Sequence, residues 1–237
     1  MNLKDFVFKA HIPLATQIAA RLREAIVCLE LPPGASLSET DIAIRFGVSR
    51  QPVREAFIKI ADMGLLAIRP QRGTLVRPIS VAQVMEARFV REAVEIAVAR
   101  EAASAPRPGL VAALGELIER QAACIPTQDS ENFLKLDEAF HRLLATEIGR
   151  TMAWTVVEDL KAQMDRVRFL SFERATPLGQ LVAQHRAIVD AIAAGDADGA
   201  HRAMQLHLRE ILSSLPLLAQ AHPDYFADGD ASAETAA

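Results

Sequence analysis

Four residues in the second half of the chain have the types and spacing of a metal site: Asp137, His141, His185 and His207. Asp137 and His141 lie one helical turn apart, inside an apolar stripe formed by Phe133, Leu136, Phe140, Leu144 and Ile148, so carboxylate and imidazole face the same interior point. His185 falls among Leu181, Val182, Ile188, Val189 and Ile192, and His207 among Met204, Leu208 and Ile211. An ionised carboxylate at a core position is costly unless it is paired or bound to a cation. One carboxylate with three neutral imidazoles suits a divalent ion such as Zn, Ni, Mn, Fe or Co. The competing reading is a set of hydrogen-bonded core histidines beside an Asp137–His141 helix pair. Four polar groups on inward stripes of three helices favour the metal.

A second constellation lies in the first third of the chain. Gly47-Val48-Ser49-Arg50-Gln51-Pro52-Val53-Arg54-Glu55-Ala56 reads as a tight turn launching a helix. Gly47 supplies the backbone freedom of the turn, Ser49 stands at the capping position, and Pro52 sits in the first helical turn, where a missing N–H is harmless. Arg50 and Arg54 project from one face with Gln51 at its edge, while Val53, Phe57 and Ile60 turn inward. That is the layout of a helix that enters the major groove of DNA. Its rival is an ordinary amphipathic helix with solvated arginines, which the flanking segments argue against. Upstream, Ser38 precedes a short helix with Ile42, Ala43 and Phe46 on one side. Downstream, two short apolar runs between Leu65 and Val76 flank a polar loop ending in Arg72-Gly73, the pattern of a hairpin wing with a basic tip.

The run from Leu37-Ser38-Glu39 through Gly47 to Ala56, with Gly64-Leu65 and Arg72-Gly73, closely resembles the DNA-binding domain of GntR-family bacterial transcription regulators. The resemblance implies DNA contacts from Arg50, Gln51 and Arg54 on the helix and from Arg72 and Gly73 at the wing, with Ser49 completing the set. Two departures stand out: Thr40 occupies a position that is basic in some relatives, and Glu30-Leu31 stands where a glycine-led turn is usual. From residue 81 to 215 the chain resembles the all-helical effector domain, called FCD, of the FadR-like branch. The motifs are Asp137 with His141, Gln184-His185-Arg186-Ala187-Ile188, and Gly195-Asp196 running through Ala203-Met204 to His207. The resemblance implies a divalent metal held at those positions and a small organic acid as effector. Arg88, after Val84 and Met85 on the first helix of this domain, is the expected grip for the acid's carboxylate. Its competing role is a helix pair with Glu92; Arg166 and Arg168 are secondary candidates.

Composition fits this division. Of 237 residues 51% are hydrophobic and only 5% aromatic, which favours alanine-rich packed helices over a β-sandwich. The net charge of −4 is unevenly spread: the first 78 residues carry 11 Lys and Arg against 7 Asp and Glu, and the remainder 15 against 23. The basic part is the part expected to meet phosphate. Cys28 and Cys124 form no motif and read as reduced core residues, hence a cytoplasmic location. Residues 1–10 lack a signal-peptide pattern, and every apolar run is interrupted well before the ~20 residues a membrane span needs.

The expected architecture is mainly α. Residues 1–78 form a winged helix-turn-helix domain, with residues 1–10 a mobile arm and residues 14–29 a supporting helix. Residues 79–220 form an all-helical bundle of about six helices, at 81–101, 109–122, 130–148, 152–170, 178–194 and 198–215. Residues 221–237 form a disordered tail. Six helices point to the VanR-like subgroup. The expected function is a homodimeric regulator, in repressor form, that binds a near-palindromic double-stranded operator and responds to a small organic acid. A metal sensor and a metalloenzyme fused to a DNA-binding domain are the alternatives.

Overall fold

The computed structural model describes residues 6–69, 73–172 and 175–227, which divide into two compact units. The first runs to Val81 and takes back residues from His222 onward. It contains α1 (Leu14–Val27), β1 (Ser36–Leu37), α2 (Glu39–Phe46), α3 (Arg50–Asp62), β2 (Leu66–Arg69) and β3 (Gly73–Val76). Ile18, Leu22, Ala25 and Ile26 of α1 are fully buried, and α1 packs on α3. Ser38 caps α2 by accepting the Asp41 N–H at 3.3 Å, and α2 ends on Gly47 in the left-handed conformation, φ 67°. That glycine makes the reversal into α3. Leu66–Arg69 pairs antiparallel with Gly73–Val76 as the expected hairpin, and β1 adds to the other side of β3. No Cβ-branched or aromatic residue marks Ser36–Leu37 as a strand; two residues are too few for a pattern.

Two segments read as unstructured have defined places. Phe6 and Phe8 pack their rings on Phe46 at centroid distances of 5.6 and 5.8 Å. The Gln17 amide donates to the carbonyls of Lys9 and Ile12 and accepts from Lys9 N–H. The arm is therefore docked from Phe6 onward; residues 1–5 lie outside the described residues. At the other end, Ile79 N–H donates to Tyr225 O (2.8 Å) and Ala227 N–H to Ile79 O (2.9 Å), a one-residue parallel bridge that buries Ile79 and Phe226. Backbone pairing orders this polar, alanine-containing stretch as far as Ala227. The rest of the tail lies outside the described residues.

The second unit spans Ala82–Ala221. It holds α4 (Val81–Ser104), α5 (Pro108–Ala123), α6 (Ser130–Glu147), α7 (Thr151–Leu160), α8 (Ala162–Ser171), α9 (Leu178–Ala193) and α10 (Ala197–Ala221). These are seven helices among the described residues rather than six, because the segment read as 152–170 breaks at Lys161. No Gly or Pro announces that break. Lys161 instead turns inward, bridging Glu138 on α6 (3.0 Å) and Asp165 (2.6 Å), and a side chain drawn into the core is a recognised cause of a helix break. The helix count on which the subgroup was chosen thus changes. α5 packs between α6 and α9, and α10 lies on α9 and α8. Among the described residues no helix is long and apolar enough to cross a membrane.

Candidate metal centre and nucleic-acid interface

Asp137 and His141 on α6, His185 on α9 and His207 on α10 converge in the interior of the helical unit, all of them buried. One ligand atom from each lies within 4.8 Å of the others. His141 Nε2 is 3.1 Å and His185 Nε2 3.3 Å from His207 Nε2, and Asp137 Oδ1 is 3.5 Å from His185 Nε2. The His185 ring stacks on Phe140 at 4.3 Å, which fixes its plane.

The outward nitrogen of each ring meets an acceptor. His141 Nδ1 pairs with Glu95 on α4, His185 Nδ1 lies 2.7 Å from Gln121 Oε1 on α5, and His207 Nδ1 lies 3.1 Å from Gln184 Oε1. The Gln184 amide orientation is set independently, since its Nε2 donates to Glu210 at 2.9 Å. An acceptor at each Nδ1 holds a proton there, so a neutral ring turns its Nε2 lone pair inward. The three ring nitrogens and the Asp137 carboxylate then face one another, and the Arg168 guanidinium is the donor that meets that carboxylate, at Oδ1. Such an arrangement is unfavourable for four acceptors alone and is the donor set a borderline divalent cation takes.

The electrostatics agree. Burial pushes the His185 imidazole down to about 3 and moves His207 well below its ordinary value, so both rings are neutral ligands near pH 7. Burial opposes ionisation of Asp137, yet the Arg168 guanidinium foremost holds its carboxyl well below the usual range. Glu95 is likewise buried against ionisation but is held at about 2 by Arg91 and then His141.

A narrow cavity of about 20 Å³ adjoins His207. Arg91, Arg168, Glu210, Ser171, Thr176 and Ser214 join His207 in its polar wall, and Met164, Phe172 and Leu181 form part of its apolar wall. It has room for one or two waters, so a larger guest requires these side chains to move. Arg88 does not line it. Its guanidinium pairs with Glu92, a carboxylate that Arg209 also binds at 2.6 and 2.9 Å. Arg91, one turn further along α4, lines the cavity with Arg168, and its own guanidinium pairs with Glu95. Arg91 and Glu95 were legible by the criterion that found the histidines: both interrupt the buried stripe Val84, Ala87, Val98 and Ala102. Gln121 similarly continues Leu110, Leu114 and Ile118 on α5. None of these three is among the residues expected from the sequence.

In the first unit, α3 exposes Arg50, Gln51 and Arg54 and buries Val53, Ala56, Phe57 and Ile60. Arg50 leans on Glu39 at 3.1 Å, and Gln51 bonds Glu55 at 3.0 Å. Ser49 occupies the capping position of α3, but its side chain makes no capping bond. Gly73 opens β3 with φ 86° at the wing. Arg72 lies outside the described residues.

Comparison with known proteins accounts for both halves. Residues 14–76 match the family of bacterial regulatory proteins named gntR, and residues 86–210 match the FCD domain. The HTH-type transcriptional repressor RspR of Escherichia coli (strain K12) is 43% identical over 91% of this chain and 95% of its own length. A probable D-xylose utilization operon transcriptional repressor of Paenarthrobacter nicotinovorans is 31% identical over 83% of this chain and 88% of its own. The solved structure of E. coli McbR/YncC superposes with a TM-score of 0.75 at 21% identity, over 89% of this chain and 99% of that one. The chain belongs to the GntR family of bacterial transcription regulators, in the branch that carries an FCD domain. It is a DNA-binding transcription regulator, and the matched families are regulators rather than enzymes.

Proposed function

We propose that this regulator is a homodimeric repressor whose operator affinity is set by a small carboxylic acid bound beside a divalent metal in the helical domain. The observation that carries the proposal is the convergence of three imidazole Nε2 atoms and one carboxylate at the edge of a cavity that Arg91 and Arg168 line. Asp137, His141, His185 and His207 are the residues that hold the ion, drawn from Zn, Ni, Mn, Fe or Co. When bound, the ion supplies a Lewis-acidic positive charge for an anionic guest. Arg91 and Arg168 supply guanidinium donors for the guest's carboxylate, and Ser171, Thr176 and Ser214 supply hydroxyls along the same wall. Because the cavity is narrow as it stands, a guest that fits must shift α8 or α10 side chains. That displacement gives two packings of the helical domain, and differential affinity of the acid for one of them is the coupling to DNA. RspR and the D-xylose operon regulator bear the name repressor, which supports release of the operator as the response. On DNA, Arg50, Gln51 and Arg54 read the major groove, with Ser49 and Gly73 against phosphate and Arg72 at the wing.

A dimer is supported by the economy of two recognition helices on a near-palindromic operator and by the surface of the helical domain. Phe89 on α4 is 65% exposed, and Met152, Val156 and Leu160, spaced four apart on α7, are 75%, 41% and 46% exposed. An apolar stripe of this kind on a helix whose other face is already packed suits a second copy of the chain. Phe89→Glu with Val156→Glu should convert the dimer to monomer in light-scattering measurements without unfolding it. An unchanged mass would remove this surface from the interface.

The effector reading is tested first by thermal shift. A panel of small carboxylic acids is run on metal-loaded and chelated protein, and one or more acids should stabilise the loaded form alone.

A further inference from the structure

Arg168 stands in an unusual relation to the metal cluster. Its Nη2 lies 2.5 Å from Asp137 Oδ1, closer than any of the three imidazoles comes to that carboxylate. The side chain is nearly as buried as Asp137 itself, so solvent screens this pair little. The oxygen that meets the guanidinium is the one that lies 3.5 Å from His185 Nε2, on the side where the ligand atoms converge. A second acceptor waits behind it: Asp165 Oδ1 is 3.8 Å from Arg168 Nη1, and Asp165 is anchored by Lys161, which Glu138 holds in turn. The guanidinium also lines the cavity beside His207.

We propose that Arg168 is a built-in counter-cation for Asp137, which a divalent ion must displace in order to bind. The inference rests on the metal reading given above. With the ion absent, Arg168 neutralises a carboxylate that would otherwise be buried and unpaired. With the ion present, Asp137 is neutralised by it, and two positive charges a few ångströms apart repel. Arg168 then swings toward Asp165 and the cavity, where its donors face an anionic guest. Metal loading thereby converts a guanidinium committed to Asp137 into one available on the cavity wall, and it does so at a cost in metal affinity.

This has a sign opposite to that of an ordinary supporting residue. A group that merely orients a metal ligand weakens metal binding when removed, typically by about 10–100-fold. A competing cation strengthens it. Affinity for Zn is measured by competition with a chromophoric chelator on full-length protein, for wild type, Arg168→Met and Arg168→Lys, with unfolding temperatures of the metal-free and loaded forms. Arg168→Met should bind Zn about tenfold or more tightly. It should also melt lower than wild type without metal, and gain more on loading. Arg168→Lys, which keeps the charge, should stay within about threefold of wild type, and it serves as the folded reference if the methionine variant is unstable without metal. Weaker Zn binding by Arg168→Met, or equal strengthening by methionine and lysine, overturns the counter-cation role. If wild-type protein binds no divalent ion at all, the metal reading itself fails, a result distinct from either.

Discussion

Replacement of His207 by alanine is expected to lower divalent-metal affinity by more than about 100-fold, the upper end of what loss of an outer-shell partner costs. His207 Nε2 sits between the other two ring nitrogens, at 3.1 and 3.3 Å, so its removal breaks the set at the middle rather than at an edge. The variant should fold. His207 is one ring on a long helix that also buries Ala200, Met204, Leu208, Ile211 and Leu215. The loss is read in two ways. Chelator competition gives the affinity directly, and thermal unfolding gives the linkage: at metal concentrations about 1,000 times the wild-type dissociation constant, wild type gains about 4 kcal/mol and the variant no more than about 1.4 kcal/mol. Equal metal-induced stabilisation of the two proteins would mean that the four residues are not the ligands.

The second large effect is on DNA. Arg50→Ala and Arg54→Ala should each weaken operator binding by about 1–3 kcal/mol, measured by anisotropy at fixed salt. Both side chains are exposed and neither contributes to the core that α3 shares with α1, which is built from Val53, Ala56, Phe57 and Ile60. Unfolding temperature should therefore stay near the wild-type value while affinity falls. Arg50 carries an added consideration: in free protein it pairs with Glu39, an exposed contact that contributes little to stability and is easily exchanged for DNA. Affinity unchanged in both variants would take the reading face away from α3.

How far the sequence was legible depends on the signal each element carries. The recognition helix was readable because Gly47 and Pro52 punctuate it and because charge and apolar residues segregate at helical spacing. The four candidate metal residues were readable because each is a polar group within an apolar stripe. Arg91 and Glu95 carry that same signal on α4, yet α4 is apolar on more than one face. Its inward stripe is therefore hard to choose from sequence, and Arg88 with Glu92 offered an equally spaced pair one position round the helix. The break at Lys161 has no turn chemistry and arises from a tertiary ion bridge to Glu138. The docking of Phe6 and Phe8 on Phe46, and the pairing of residues 225–227 with Ile79, depend on partners distant in sequence. Local pattern contains no trace of either.

The two units are chemically distinct, and the proposed function requires that they be coupled. α10 carries His207 and several cavity residues, while α4 carries Arg91 and Glu95, and α4 follows directly on the winged-helix unit in the chain. In the proposed function, an acid that draws Arg91 or Arg168 toward the cavity acts on the helices around the candidate metal site.

The most direct test is operator binding by fluorescence anisotropy, using metal-loaded and chelated protein, titrated with the carboxylic acid that gives the largest thermal shift. The acid should weaken operator affinity at least about fivefold, the lower end of typical allosteric coupling, in metal-loaded protein, and should have no effect after chelation or in His207→Ala. Operator affinity that is unchanged at saturating acid, or that responds equally with and without metal, would contradict the proposed function.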